Sequence, residues 1–306
     1  GTLFLFITMS GLLLRPLRQI ADKFNTLQMG MVAVDRIFSI FENESIIKDT
    51  GEVDALNFRG KIEFKNVRFS YIPNIEVLKG ISFLVRPGET LAIVGPTGSG
   101  KTTIINLISR FYNINSGNIN IDDISINNFK LNFLRSNIGV ILQDVFLFAD
   151  SIKNNVTLFD EDISEDQVIN AAKELGIHQF IMSLPGNYNF NVQERGNTLS
   201  SGQKQLIAFM RVLIKNPDLL ILDEATSSID SYSEDLIKNA TKKITRNKTS
   251  IIIAHRLSTI KSASTIIYME DGLILEMGSH KELMKIENGR YLKMHHEQFT
   301  NVELLN

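Results

Sequence analysis

The chain has 306 residues, 43% hydrophobic and 22% charged, with a formal net charge of -2, which suffices for one large or two modest domains and excludes a disordered tail. That balance gives no general attraction for a polyanion, so nucleic acid is not an expected partner, although a local basic patch is compatible with it. The absence of cysteine excludes disulfides, thiolate metal sites and cysteine nucleophiles, leaves the redox compartment open, and restricts any metal to oxygen or imidazole ligands.

In chain order, TLFLFITMSGLLL (2–14) is apolar and uncharged, but its thirteen residues fall short of the roughly twenty that span a bilayer. It has no initiator Met, basic leader or small-residue cleavage site, which argues against a signal peptide. We read it as the cytoplasmic end of a membrane helix, the alternative being a buried helix of a soluble domain. Beyond Arg15-Pro16, apolar residues at Leu17, Ile20, Phe24, Leu27, Met31, Val34, Phe38 and Phe41 keep the three-and-four spacing of a long helix with one apolar stripe. Residues 1–41 are therefore expected to form one helical unit. The next stretch, ENESIIKDTGEVDALNFRG (42–60), loses the period and gains charge and glycine, so it reads as a linker.

From Lys61 the pattern is α/β. KIEFKNVRFSY (61–71), GISFLVRPG (80–88) and GNINIDDISI (117–126) alternate or carry turn signals, which predicts half-exposed antiparallel strands in a separate subsheet. LAIVG (91–95), IGVIL (138–142), LLILD (219–223) and SIIIAH (250–255) are short continuous apolar runs, as expected of strands covered on both faces of a parallel sheet. Helices are expected between them, at TTIINLISRF (102–111) with Ile104, Leu107, Ile108 and Phe111 on one face, and at QKQLIAFMRVLI (203–214) with Leu206, Met210, Leu213 and Ile214. No buried-strand run occurs between Gln143 and Ser200, which predicts a helical insertion at about 144–215. MEDGLIL (269–275) predicts a hairpin on an Asp-Gly turn, and Ser279 with Glu282 a capping box. His178, His280, His295 and His296 fall in stretches that read as surface helix or loop.

GPTGSGKT (95–102) fits G-x-x-x-x-G-K-[ST] directly after a buried strand and before an amphipathic helix. Gly95, Gly98 and Gly100 let backbone N–H groups turn toward an anion, and the helix N-terminus adds partial positive charge. Lys101 can reach the β- and γ-phosphates of a nucleotide, with the Thr102 hydroxyl on Mg²⁺. LLILDE (219–224) ends a buried strand in two carboxylates. Asp223 can then enter the metal shell while Glu224 handles the attacking water.

The ordered set Tyr71, GPTGSGKT, Gln143, ERG (194–196), LSSGQ (199–203), LLILDE, SSID (227–230) and His255 resembles the nucleotide-binding domain of an ABC transporter, over residues 61 to about 290. The helical lead-in ending VDRIFSIFE (34–42) and the ERG tripeptide resemble the exporter branch, in which a membrane domain and the ATPase share one polypeptide. The resemblance implies a P-loop NTPase core with a mainly parallel sheet, an antiparallel β subdomain and a helical insertion, preceded by a long N-terminal helix. It assigns 61–290 to the ATPase and 291–306 to a C-terminal helix and tail. Residues 1–41 become the end of the last transmembrane helix with its cytoplasmic extension, so the chain is expected to be a fragment of a multi-pass cell-membrane protein, the ATPase on the cytoplasmic side.

The same resemblance implies ATP and Mg²⁺ as ligands. Tyr71 is expected to stack on adenine, and Gly95, Pro96, Thr97, Gly98, Ser99, Gly100, Lys101, Thr102 and Thr103 to hold the phosphates. Thr102, Gln143 and Asp223 are the expected metal residues, and Glu224, His255, Gln143 and Lys101 the expected catalytic ones. Ser200, Ser201, Gly202, Gln203 and Asp230 are expected to serve the nucleotide of a second ABC subunit, in a homodimer or a heterodimer. The transported substrate is not legible. The signature departs from the usual LSGGQ at Ser201, whose side chain either hinders the phosphate or adds a hydroxyl donor, and SSID departs from the usual SALD. A soluble ABC ATPase of DNA repair or chromosome structure is the alternative, opposed by the apolar N-terminal helix and the lack of a long coiled-coil insertion. A catalytically silent scaffold is opposed by the presence of Glu224 and His255.

Overall fold

The structure is a computed structural model that describes residues 1–42, 47–55, 57–224, 231–254 and 256–297. The chain divides into two compact units, Gly1–Lys48 and Asp49–Asn306.

The first unit is a single helix, α1 (Thr2–Phe41), about 60 Å long at 1.5 Å per residue. It runs without interruption through Pro16. Its large apolar side chains are exposed on every side, Phe4 at 76% and Phe38 at 58% among them. By length and composition α1 can cross a membrane, its most apolar 18-residue window having a mean hydropathy of 1.3. The apolar 2–14 stretch and the striped 17–41 stretch are thus one element.

In the second unit, strands β1 (Ile62–Phe69), β2 (Leu78–Val85), β4 (Ser116–Ile121) and β5 (Ile124–Ser125) form an antiparallel sheet in the order β2-β1-β4-β5. Its inward face is set by alternation: Ile62 opposes Val85 and Ile121, and Phe64 opposes Phe83 with the rings stacked at 4.4 Å. A second sheet has the order β10-β9-β3-β8-β7-β6, from β3 (Thr90–Val94), β6 (Ile138–Ile141), β7 (Leu219–Asp223), β8 (Thr249–Ile253), β9 (Thr265–Glu270) and β10 (Leu273–Gly278). All its pairings are parallel except β9 with β10.

The continuous apolar runs are explained by cover on both faces. Leu91, Ile93, Leu219, Ile221, Ile251 and Ile253 pack with the antiparallel sheet and with α2 (Lys101–Ile108). Their neighbours Ala92, Val94, Leu220, Leu222, Ile252 and Ala254 face the opposite layer. That layer holds α4 (Ile152–Thr157), α5 (Glu165–Leu175), α7 (Ser201–Lys215) and α8 (Ser231–Thr245). Shorter helices α3 (Leu131–Ser136), α6 (His178–Ser183), α9 (Leu257–Ser262), α10 (His280–Leu283) and α11 (Arg290–His295), with 3-10 turns at Ile126–Asn128, Asn187–Asn189 and Glu194–Gly196, complete the described elements. The Ser279–Glu282 capping box is present at α10.

The expected MEDGLIL hairpin is present, Leu273 opposite Glu270, and its first arm β9 also pairs parallel with β3, Leu91 opposite Thr265, inside the large sheet. Two local expectations are corrected. Phe111 lies beyond the end of α2 and is 49% exposed, with the Arg135 guanidinium 5.2 Å from its ring centroid. His295 is buried rather than superficial, and His280 shares its Nδ1 with the Tyr291 hydroxyl at 2.7 Å.

Candidate phosphate-binding site

Residues 95–100 join the end of β3 to α2 and leave no room for ordinary side chains at two turns. Gly95 has φ +141°, and a Cβ there would lie 2.0 Å from the carbonyl oxygen of Met269. Gly100, the residue before α2, has φ +99°, and its Cβ would meet Leu78 at 2.8 Å. The glycines let the loop fold tightly against β9 and β2 while the α2 N-terminus opens at its mouth. Lys101 is 8% exposed and donates from Nζ to the Gly95 carbonyl at 2.9 Å and the Pro96 carbonyl at 2.7 Å.

A cleft of ≈ 450 Å³ lies against this loop. Thr97, Gly98, Gly100, Lys101, Thr102 and Thr103 line one side, and Gln143, past the end of β6, and Asp223, the last residue of β7, line another. Burial lowers the Lys101 pKa from the usual lysine range, with Asp223 acting against it. Burial likewise raises that of Asp223, opposed by Lys101 and reinforced by Asp144. Each charge is destabilised by burial and partly relieved by the other. Thr102, Gln143 and Asp223 supply the oxygen donors that suit a hard divalent cation. Among the described residues there is no cluster of three His, Cys, Asp or Glu that could hold a metal unaided. A cation here would complete its shell with phosphate oxygens and water.

Glu224 does not line that cleft. Its carboxylate accepts the Arg256 backbone N–H at 3.1 Å and the Thr259 hydroxyl at 2.5 Å, at the start of α9. The neighbouring strand-end carboxylates thus point to different partners. His255, Asp230 and the remainder of SSID lie outside the described residues.

LSSGQ opens α7. The Ser200 hydroxyl accepts the Gln203 N–H at 3.2 Å, and the Gln203 side chain accepts the Ser200 N–H at 2.9 Å, a reciprocal capping box. Ser200 and Ser201 are exposed and Gly202 is buried. None of the five LSSGQ residues lines the cleft beside Lys101. Tyr71 lies just past β1, its hydroxyl donating to Thr103 Oγ1 at 3.3 Å and accepting from Asn106 Nδ2 at 3.1 Å, so its ring is tied to α2.

A polar pin escaped the sequence. Asn155 is fully buried in α4, and its Oδ1 accepts the Phe148 N–H at 2.8 Å and Arg211 Nη2 at 3.2 Å. Its Nδ2 donates to the carbonyls of Phe148 and Ser151, both at 3.0 Å. Arg211 also donates to the carbonyls of Asn155 at 2.7 Å and Phe146 at 3.0 Å. The segment following Gln143 is therefore fastened to the helix that LSSGQ begins.

Comparison with known proteins bears on this geometry. A family model described as ABC transporter matches residues 78–227. The chain is 41% identical over 298 residues to the probable multidrug resistance ABC transporter ATP-binding/permease protein YheH of Bacillus subtilis, covering 97% of this chain and 44% of that protein. It is 41% identical over 279 residues to the fatty acid ABC transporter ATP-binding/permease protein of Mycobacterium bovis, covering 91% and 44%. A solved structure of a bacterial Atm1-family ABC exporter with ATP bound superposes with a TM-score of 0.80 at 37% identity, covering 93% of this chain and 50% of that one. The chain thus spans about half the length of these relatives. They lend no support to the soluble DNA-repair alternative. A glycine-lined loop at the carboxyl edge of a parallel sheet, a capped LSSGQ helix on the same domain, and the match over residues 78–227 together identify the chain as carrying an ABC transporter ATPase domain.

Proposed function

We propose that this domain binds and hydrolyses ATP to drive an exporter, with each nucleotide held between the 95–102 loop of one subunit and the LSSGQ of another. The supporting observation is the division of the machinery. Lys101, Thr102, Gln143 and Asp223 converge on one cleft, whereas Ser200–Gln203 cap a helix outside it. In this reading Lys101 leaves the loop carbonyls for the β- and γ-phosphates, and Thr97 to Thr103 contribute backbone and hydroxyl donors. Tyr71 stacks on the base. Thr102, Gln143 and Asp223 hold Mg²⁺, which on binding neutralises charge on the phosphates. Glu224 takes the proton from the attacking water, with His255 on the γ-phosphate. Closure of two domains on ATP then pulls membrane helices continuous with α1, on the cytoplasmic side of a cell membrane.

The test uses two defective chains. Lys101→Ala disables the loop and Ser200→Arg the signature, and in a protein that pairs with its own copy each variant alone carries a defect in both composite sites. A mixed dimer of the two gathers both defects into one site and leaves the other whole, so mixing restores ATP hydrolysis or ATP occlusion to at most half of the sites. Restoration of neither refutes the shared-site reading.

A further inference from the structure

We propose that Tyr112 is a positioning residue for nucleotide recognition, holding the Tyr71 ring in the orientation that meets the base and thereby setting the preference for a purine. The inference rests on the proposed role of Tyr71 and names a residue that role does not include.

Three aromatic rings meet beside α2. Phe69, the last residue of β1, is 3% exposed and anchors the group. Tyr71 sits with its centroid 4.7 Å from that of Phe69 and 4.9 Å from that of Tyr112, both pairs at 88°. Tyr112 closes the triangle against Phe69 at 5.7 Å. Distances and angles of this kind match edge-to-face contacts, in which the positive edge of one ring meets the negative face of another. The hydroxyl end of Tyr71 is fixed independently by Thr103 and Asn106, both on the helix that begins with Lys101. The ring is thus held at its tip by α2 and along its body by Phe69 and Tyr112.

Tyr71 and Tyr112 each remain 44% exposed, so the group is not simply a core. The packed portion of Tyr71 is fixed and the exposed portion is available to a planar partner. Stacking reads the π-face of a base rather than its edge groups, so selectivity depends on overlap area and therefore on ring orientation. A free tyrosine must be ordered when a base binds, whereas one already clamped loses little further freedom. Tyr112 supplies the clamp from a turn beyond α2, the same turn that places Phe111 under Arg135.

The experiment is calorimetric titration of Mg²⁺-free ATP and CTP into the full chain and its variants, with thermal unfolding measured alongside. We expect Tyr112→Ala to weaken ATP binding by about three- to tenfold, the range of a lost aromatic pair, and to narrow the preference for ATP over CTP. Tyr112→Leu, which keeps bulk without a ring, behaves like Tyr112→Ala, and Tyr112→Phe stays within about twofold of the unaltered protein. In a Tyr71→Ala background Tyr112→Ala has no further effect, which a general loss of fold stability does not reproduce. If Tyr71→Ala leaves ATP affinity intact, the Tyr71 reading falls and takes this one with it. If Tyr71→Ala weakens ATP while Tyr112→Ala or Tyr112→Leu does not, the clamp alone is refuted. Additive losses in the double variant also overturn it, because Tyr112 then acts independently of Tyr71.

Discussion

Asn155→Ala is expected to cost the domain about 3–4 kcal/mol of folding stability, at one to three kcal/mol for each buried group left without a partner. Two donors lose their acceptor, the Phe148 N–H and Arg211 Nη2, whereas the carbonyls of Phe148 and Ser151 keep the backbone N–H groups of Asp150 and residue 155. The site is fully buried, so water does not replace these bonds without a cavity opening first. Against a typical total of about 5–15 kcal/mol the loss is large enough to read as a shift in urea midpoint at unchanged slope. Arg211→Lys keeps the charge but cannot span the carbonyls of Phe146 and Asn155 together with Asn155 Oδ1, and should cost about 2 kcal/mol. The double variant should lose less than the two single losses combined, because they share a hydrogen bond. ATP affinity should fall by no more than about threefold, since the pin packs on the sheet face opposite α2. A loss below about 1 kcal/mol for Asn155→Ala would show that the loop after Gln143 is held by other contacts.

Glu224→Gln should retain ATP binding and slow phosphate release by orders of magnitude, because the base is removed and the cleft is untouched; near-normal turnover would remove Glu224 from the chemistry. Ser201→Gly should change the ATP concentration needed for dimerisation by less than a few-fold, under about 1 kcal/mol, as measured by light scattering, since Ser201 already sits in an exposed first helical position; a larger shift in either direction contradicts tolerance. Tyr291 is fully buried and its pKa is pushed up from 10.0 to about 12 by burial. The folded state therefore keeps a proton that the unfolded chain gives up, and about 3 kcal/mol of stability, complete below pH 10, drains away as pH rises to about 12. Tyr291→Phe should lack that part of the alkaline decline in urea titrations while being about 1 kcal/mol less stable at pH 7 for want of the His280 bond. Parallel pH profiles would contradict it.

The parts of the fold that were legible are those whose causes are local. LAIVG and LLILD read as parallel strands because both faces are covered, and alternate residues then divide between two cores. GPTGSGKT was legible because its glycines answer to backbone turns within the loop itself. What escaped depends on distant partners. MEDGLIL reads as a hairpin, and only the pairing of Leu91 with Thr265 shows that its first arm, β9, is an interior strand of the large sheet. Glu224 turns toward Thr259, a contact that no strand pattern encodes. Asn155 and Arg211 each occupy an ordinary polar position on a helix until the helices pack. His280, Tyr291 and His295 lie in elements of four and six residues, too short for periodicity to separate a buried face from an exposed one.

The placement of α2 and α7 bears on why one domain would carry two phosphate-friendly helix starts. Both helices start at the carboxyl edge of the same parallel sheet, since α2 follows the end of β3 and α7 runs back to feed β7. They pack on opposite faces: α2 contributes Ile104, Ile105, Leu107 and Ile108 to one core, while α7 contributes Leu206, Ile207, Phe209 and Met210 to the other. A sheet with a helix layer on each side separates the two helix axes by on the order of 20 Å. A hydrogen bond reaches about 3 Å, so a γ-phosphate cradled by Lys101 and the α2 N-terminus lies far beyond donors at Ser200 to Gln203 of the same chain. No loop adjustment closes that gap without dissolving the sheet between them. A second domain turned about a two-fold axis brings its own α7 over the first cleft at no such cost. In the proposed pairing, the opposed faces that hold the signature away from its own cleft are what would free it to serve a partner's nucleotide.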